Sequence, residues 1–114
     1  MRRVFGCPKY IPVPYDWIIS RDGKDLGRLH DPEWVDMFWR RPILTPTAST
    51  PAGVNLFDDG YWADCKYQVR HASLRLDAPH VLIRATGEPP RVSVRGVPER
   101  LPEHEWPMNR GVEP

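Results

Sequence analysis

Fourteen of the 114 residues are proline, and they are spread along the whole chain. Proline makes up only roughly 5% of an average soluble protein. Each proline lacks a backbone N–H, and its ring clashes with the preceding turn of a helix, so long helices are disfavoured. The chain is therefore predicted to fold mainly from short β-strands and loops.

The composition is typical of a folded domain with a core of its own. Hydrophobic residues make up 40% of the chain, and five Trp, four Tyr and three Phe supply large apolar side chains. The length lies near the commonest domain size. We expect one β-rich domain over residues 1–97 and an extended or disordered C-terminal tail over residues 98–114, where charges and prolines dominate.

Turn signals and alternating hydrophobicity locate the strands. Asp22-Gly23 separates two apolar runs and predicts a hairpin, because Gly accepts the positive φ of a type I′ turn. Gly27 is expected at a bulge or a close backbone approach. Residues 61–73 alternate and are predicted to form one half-buried strand. With the short apolar segments of residues 74–97, the pattern predicts a small antiparallel sandwich or a partly open barrel of about six or seven strands with one short helix.

The predicted helix lies in residues 31–46, DPEWVDMFWRRPILTP. Asp31 is a good N-cap, and a helix over residues 32–38 would put three large side chains on one face against the sheet: Trp34, Met37 and Phe38. Residues 38–45 are alternatively a strand, with three side chains on one side: Trp39, Arg41 and Ile43. Residues 45–53 are rich in Thr and Pro and are predicted to be a surface loop and the best candidate for a mobile arm.

No pattern of residues meets the requirements of a metal, cofactor or catalytic site. The four histidines are widely spaced, and the acidic residues around Asp58 do not follow the order of a Ca²⁺ loop. Cys65 is expected on the apolar face of a strand as an inert core residue, and Cys7 and Cys65 are predicted to be reduced thiols. We expect no metal, no cofactor and no catalytic residue.

The N-terminal segment is basic, but glycine and proline interrupt it before an export signal could form. A cytoplasmic location is therefore predicted. The formal net charge of +1 gives no overall field that would attract nucleic acid or an anionic membrane. No membrane association is expected.

Arginine is the polar residue type in excess on the predicted strands. Alternation would put several of these arginines on one sheet face: Arg70, Arg75, Arg84, Arg91 and Arg95. We expect them near the aromatic side chains Tyr61, Trp62 and Tyr67. A basic sheet with interleaved aromatic rings binds single-stranded nucleic acid through phosphate pairing and base stacking, so nucleic acid is a possible partner.

Tryptophan exceeds what a small core commonly needs. Trp and Arg are enriched at the energetic centres of protein interfaces. A partner-binding patch is therefore predicted at four residues: Trp39, Arg40, Arg41 and Trp62. The loop of residues 45–53 is expected to contribute to it.

These patterns lead to three hypotheses about function. The first is a small non-catalytic protein-binding module, comparable in size with bacterial immunity or inhibitor proteins. The second is a nucleic-acid-binding sheet protein, and the third is a small enzyme or ligand carrier with a pocket between helix and sheet. The partner and the oligomeric state do not follow from the sequence.

Overall fold

The computed structural model describes residues 9–85 and 88–107. Within these ranges the chain is mainly β, as predicted, with eight strands in two antiparallel sheets. The strands are β1 (Tyr10–Pro12), β2 (Asp16–Arg21), β3 (Lys24–Trp34), β4 (Trp39–Pro46), β5 (Gln68–His71), β6 (Leu82–Arg84), β7 (Ser93–Arg95) and β8 (Arg100–Pro102). One α-helical turn, α1, spans Asp59–Trp62, and a 3-10 turn spans Glu103–Glu105.

Six of the strands form one sheet that curls into a half-barrel, in the order β5-β2-β3-β4-β7-β6. The β3–β4 hairpin lies at its centre. The other two strands, β1 and β8, pair with each other, with Ile11 opposite Leu101. This pairing brings residues 100–102 back to the beginning of the described chain. No helix in the described ranges has both the length and the apolar character needed to cross a bilayer.

The core lies on the concave inner face of the six-stranded sheet. Alternate residues of neighbouring strands point inward, and α1 adds the ring of Trp62 from outside the sheet. The largest fully buried side chains are Trp17, Ile19, Leu26, Leu29, Pro42, Leu44, Trp62, His71, Ile83, Val92 and Val94. The opposite, outer face of the sheet carries mainly polar and charged residues, together with four apolar ones: Ile18, Trp39, Ile43 and Leu82. The two faces therefore differ as expected for an antiparallel sheet with one solvated side.

The predicted hairpin at Asp22-Gly23 is confirmed. Both residues have positive φ, 53° and 78°, as a type I′ turn requires. The prediction of a close approach at Gly27 is confirmed as well, because a Cβ there would lie 2.5 Å from Leu44 Cδ1 of β4. The bulge of this hairpin lies directly beside Gly27 as predicted, because Ile19 is opposite Gly27 and Ser20 is opposite Asp25, which leaves Leu26 as the extra residue of β3.

The helix predicted over residues 32–38 is wrong, and the alternative strand prediction for residues 38–45 is confirmed. β3 continues to Trp34, the chain turns, and β4 returns from Trp39 to Pro46. A seven-residue helix is marginal on its own, and the ladder between β3 and β4 satisfies the same backbone groups. The side chains of Trp39, Arg41 and Ile43 share one side of β4, as the strand alternative required.

The single strand predicted over residues 61–73 is only partly correct. Its first part belongs to α1, which Asp58 caps by accepting a hydrogen bond from the Gly60 N–H at 3.2 Å. Cys65 follows the helix as an exposed residue with φ of 57°, so its prediction as a core residue is wrong. The alternation is confirmed from Tyr67 to His71, where β5 forms. Cys7 lies outside the described residues.

His71 connects β5 to the neighbouring loops from a fully buried position. Its Nε2 donates to the carbonyl oxygen of Pro14 at 2.8 Å, and its Nδ1 accepts from the N–H groups of Ser73 and Leu74, each at 3.0 Å. The ring also meets Trp17 edge-on, with centroids 4.9 Å apart. These contacts give His71 a structural role in the core.

Candidate interaction surface at the β3–β4 hairpin tip

The tip of the central hairpin exposes four large apolar side chains. Trp34 is 70% exposed, Val35 44%, Met37 76% and Phe38 59%. We call these four residues the tip patch. Exposed apolar residues are ordinary when they are scattered, but four within five consecutive residues of one turn are typical of a surface that meets another molecule. The tip patch is therefore the strongest candidate for a functional site.

The turn that carries the tip patch is fixed by Asp36. Its Oδ1 accepts hydrogen bonds from the backbone N–H groups of Phe38 at 2.8 Å and Trp39 at 2.9 Å. These two bonds lower the pKa of Asp36 below its ordinary value. An ionised carboxylate thus stands at the centre of the apolar tip and holds its conformation without help from a partner.

Arg40 braces the base of the same turn. Its Nη1 donates to the carbonyl oxygens of Asp36 at 2.7 Å and Trp39 at 3.0 Å, and its guanidinium pairs with the Glu99 carboxylate at 2.7 and 2.8 Å. The same guanidinium lies over the ring of Trp34. The exposed ring of Trp34 is therefore held at one side by a charged, hydrogen-bonded group.

The structure places the four residues predicted to bind a partner in different surroundings. Trp39 and Arg41 are half-buried on the outer face of β4, next to the tip patch. Arg40 is buried and acts through the turn just described. Trp62 is 1% exposed, and its indole N–H donates to the Leu56 carbonyl oxygen at 2.9 Å, so it belongs to the core and not to this surface.

The loop of residues 45–53 does not lie beside Trp39 and Arg41. It begins at the other end of β4, and at about 3.3 Å per residue the strand separates it by roughly 20 Å from Trp39 and by roughly 13 Å from Arg41. Thr47 and Thr50 anchor this loop to β3 by donating to the carbonyl oxygens of Asp25 and Leu26 at 2.5 and 2.6 Å. The loop and the tip therefore form two separate surfaces.

Four of the five arginines considered for nucleic-acid binding do share the outer sheet face. The strand register aligns Arg70 on β5 with the same face as Arg84, Arg91 and Arg95 at the other edge. Arg75 lies instead in the loop after β5. Two of the aromatic rings expected among them, Trp62 and Tyr67, pack against each other in the core, with centroids 5.4 Å apart. The third, Tyr61, lies under the guanidinium of Arg21, 4.9 Å from its ring centroid.

Most of these arginines are paired with carboxylates. Arg70 bonds Asp25 at 2.9 Å, Arg84 bonds Asp59 at 3.0 Å, and Arg91 lies 3.6 Å from Glu33. Hydrogen bonds from the guanidinium groups lower the pKa values of Asp25 and Asp59, so both pairs remain ionised. Arg95 lies over the Phe38 ring, 5.0 Å from its centroid. Much of the positive charge of this face is thus compensated.

The acidic residues near residue 58 are distributed among structural roles. Asp58 caps α1, Asp59 pairs with Arg84, and Asp64 pairs with Arg21. In residues 9–85 and 88–107, no three His, Cys, Asp or Glu side chains come together as a metal ion would require.

The tip patch was missed in the sequence because three of its members fitted a buried helical face. Trp34, Met37 and Phe38 keep the same spacing in a turn, where they face solvent. Asp36 does indicate the turn in the sequence. It lies between two strand-like segments, and an aspartate side chain favours a turn because it accepts hydrogen bonds from backbone N–H groups a few residues further on.

No family model matches the chain, and no curated protein or solved structure matches it either.

Proposed function

We propose that this protein is a small binding module, of the immunity or inhibitor kind, that recognises another protein through the tip patch of the β3–β4 hairpin. The observation that carries the proposal is the exposure of four large apolar side chains on a turn fixed by its own hydrogen bonds. Full burial of side chains of this size contributes about 1.5–3 kcal/mol each, from which the cost of association is subtracted.

Pre-organisation supports the proposal. Asp36 and Arg40 fix the turn in the free protein, so its backbone loses little conformational entropy when a partner docks. Trp34 and Phe38 are rigid aromatic anchors of the kind found at the energetic centres of interfaces. Each of these rings has a guanidinium beside it, from Arg40 and Arg95. An apolar pocket on a partner would fit over such a projection.

A protein surface suits this tip better than a lipid surface. The lowered pKa of Asp36 keeps its carboxylate ionised at the apex, between Val35 and Met37. Insertion of an ionised carboxylate into the hydrocarbon of a bilayer is costly. A protein pocket has polar groups at its rim that are able to meet the same carboxylate.

Nucleic-acid binding is the second candidate, supported by the arginines that share the outer face. Their pairing with Asp25, Asp59 and Glu33 weakens it, since phosphate contacts would have to compete with these carboxylates. Binding by this route would fall steeply with salt.

Site-specific photocrosslinking tests the proposal. We would replace Met37 with p-benzoylphenylalanine, irradiate the full chain in lysate of its native cell, and identify the product by mass spectrometry. The same replacement at Tyr10 provides the control, because Tyr10 is 49% exposed and lies on the other sheet.

The expected result is one protein crosslinked from position 37 and not from position 10. Its purified form should bind the wild-type chain directly. Crosslinks only to lipid, only to nucleic acid, or equally from both positions would overturn the proposal.

A further inference from the structure

A groove of about 280 Å³ opens on the outer sheet face directly beside the tip. Its lining comes from the tip, β4, β6 and β7: Val35, Trp39, Arg41, Arg84 and Ser93. The strand register explains this arrangement, because Trp39 is opposite Arg95 on β7, and Arg84 of β6 is opposite Ser93. The groove therefore joins an apolar edge at Val35 and Trp39 to a basic floor.

Arg41 is the arginine of this groove that forms no ion pair with the residues that the structure describes. Its Nε is buried, and among the residues that the structure describes its guanidinium has no hydrogen-bond or ion-pair partner. Glu33 is its neighbour across the β3–β4 ladder, and Glu33 and Glu88 line a second cavity beside Arg41. The Glu33 carboxylate lies 3.6 Å from Arg91 and is not paired with Arg41. By contrast, the guanidinium groups of Arg40 and Arg84 each hold a carboxylate.

A partly desolvated guanidinium without a counter-ion favours an anion more than a fully exposed one does. Water screens an exposed charge, whereas burial of Nε removes part of that screening at Arg41. The two terminal nitrogens of a guanidinium match the two oxygens of a carboxylate in spacing and plane. The groove thus offers an end-on site for a carboxylate, with apolar contact at Trp39 and Val35.

We infer that this groove binds an acidic side chain of the protein partner, whose carboxylate pairs with Arg41 while an adjacent apolar side chain contacts Trp39. The inference rests on the proposed function and specifies the partner: an acidic segment beside the pocket that receives the tip patch. A nucleic acid fits less well, because its repeated phosphates would also meet the carboxylates of Glu33 and Asp59 on this face, whereas one carboxylate of a side chain needs to reach only Arg41.

Nuclear magnetic resonance with a defined peptide tests this inference without the partner. The probe is a blocked peptide of alternating glutamate and leucine, titrated into the full ¹⁵N-labelled chain, and the signals followed are the Arg41 Nε–H and the Trp39 indole N–H. The same peptide with glutamine in place of glutamate, and an oligothymidylate, are run in parallel. Arg28→Gln is the matched control for Arg41→Gln, because Arg28 lies on the same sheet face and already pairs with Asp16 at 2.5 Å.

The inference predicts a saturable shift of both signals with the glutamate peptide and none with the glutamine peptide. Arg41→Gln should weaken binding about tenfold and Arg28→Gln should leave it within about twofold. No shift at Arg41, equal shifts with the glutamine peptide, or tighter binding of the oligothymidylate at Arg41 would overturn the inference. If Arg41→Gln does not fold, Arg41→Lys is used instead. Lysine keeps the positive charge but lacks the two parallel N–H donors of the guanidinium, so this variant should weaken binding several-fold. A negative titration would overturn the inference about the groove but would not change the crosslinking result at position 37. The two experiments therefore test the inference and the proposed function separately.

Discussion

The guanidinium carbon of Arg40 lies 3.5 Å from the ring centroid of Trp34, directly across the β3–β4 ladder. Trp34 is largely exposed, whereas Arg40 is buried and pairs with Glu99. One arginine thus connects the exposed hairpin tip to the segment that follows β7. The tip is held in place by charge and hydrogen bonds rather than by core packing.

Replacement of Arg40 should destabilise the fold. Arg40→Ala leaves the carbonyl oxygens of Asp36 and Trp39 and the Glu99 carboxylate without their donor, so we expect a loss of about 1–3 kcal/mol in the free energy of unfolding. Urea denaturation measures this loss. Arg28→Ala, which breaks the more exposed pair with Asp16, should cost less than about 1 kcal/mol. Equal losses in the two variants would refute the bracing role of Arg40.

The conformation of the tip should depend on pH through Asp36. Hydrogen bonds from the Phe38 and Trp39 N–H groups lower the pKa of Asp36 in the folded chain. Ionised Asp36 therefore stabilises the tip above its ordinary pKa, and this stabilisation is lost as the pH falls through the lowered pKa. The amide proton shifts of Phe38 and Trp39 should titrate with a midpoint below the ordinary value of 3.8. Asp36→Asn should abolish the titration, and a midpoint at or above 3.8 in the wild type would contradict the assignment.

Removal of the His71 ring should destabilise the core. His71→Ala leaves a cavity beside Trp17 and frees the Ser73 and Leu74 N–H groups, at a cost of about 2–4 kcal/mol. Thermal or urea unfolding of the variant measures the change. A loss below about 1 kcal/mol would show that the ring does not connect β5 to its neighbouring loops.

Cys65 should react with thiol reagents in the folded protein. It is exposed and follows α1 in a left-handed backbone conformation. In a Cys7→Ser background, the remaining thiol should be modified by a bulky aromatic disulfide at nearly the rate seen in denaturant. Protection by a factor of a hundred or more would mean that Cys65 is buried, as the strand pattern had suggested.

The parts of the fold that were predicted correctly depend on short-range chemistry. The Asp22-Gly23 turn needs only the conformational freedom of those two residues. The alternation from Tyr67 to His71 reflects burial of one face of a strand. Mainly β architecture follows from the prolines, whose effect is local as well.

The errors arise where long-range pairing outweighs local preference. Residues 32–38 have a good helix start, but the ladder that places Glu33 opposite Arg41 and Trp34 opposite Arg40 pairs the same backbone groups between strands. The exposure of the tip patch is a consequence of that ladder. Strand order could not be predicted from the sequence either, because β4 pairs with β7, which follows it about half a chain length later. Arg41 could be named as a site residue from its neighbours, but its missing counter-ion appears only in three dimensions.

Binding of the crosslinked partner to matched serine variants tests the central claim most directly. Phe38 and Tyr10 are both exposed aromatic residues with a guanidinium over the ring, from Arg95 and Arg100. By calorimetric titration with the purified partner, Phe38→Ser should weaken binding at least about tenfold and Tyr10→Ser should leave it unchanged, with both variants as stable as the wild type. Unchanged affinity of the Phe38→Ser variant would contradict the assignment of the hairpin tip as the protein-binding surface.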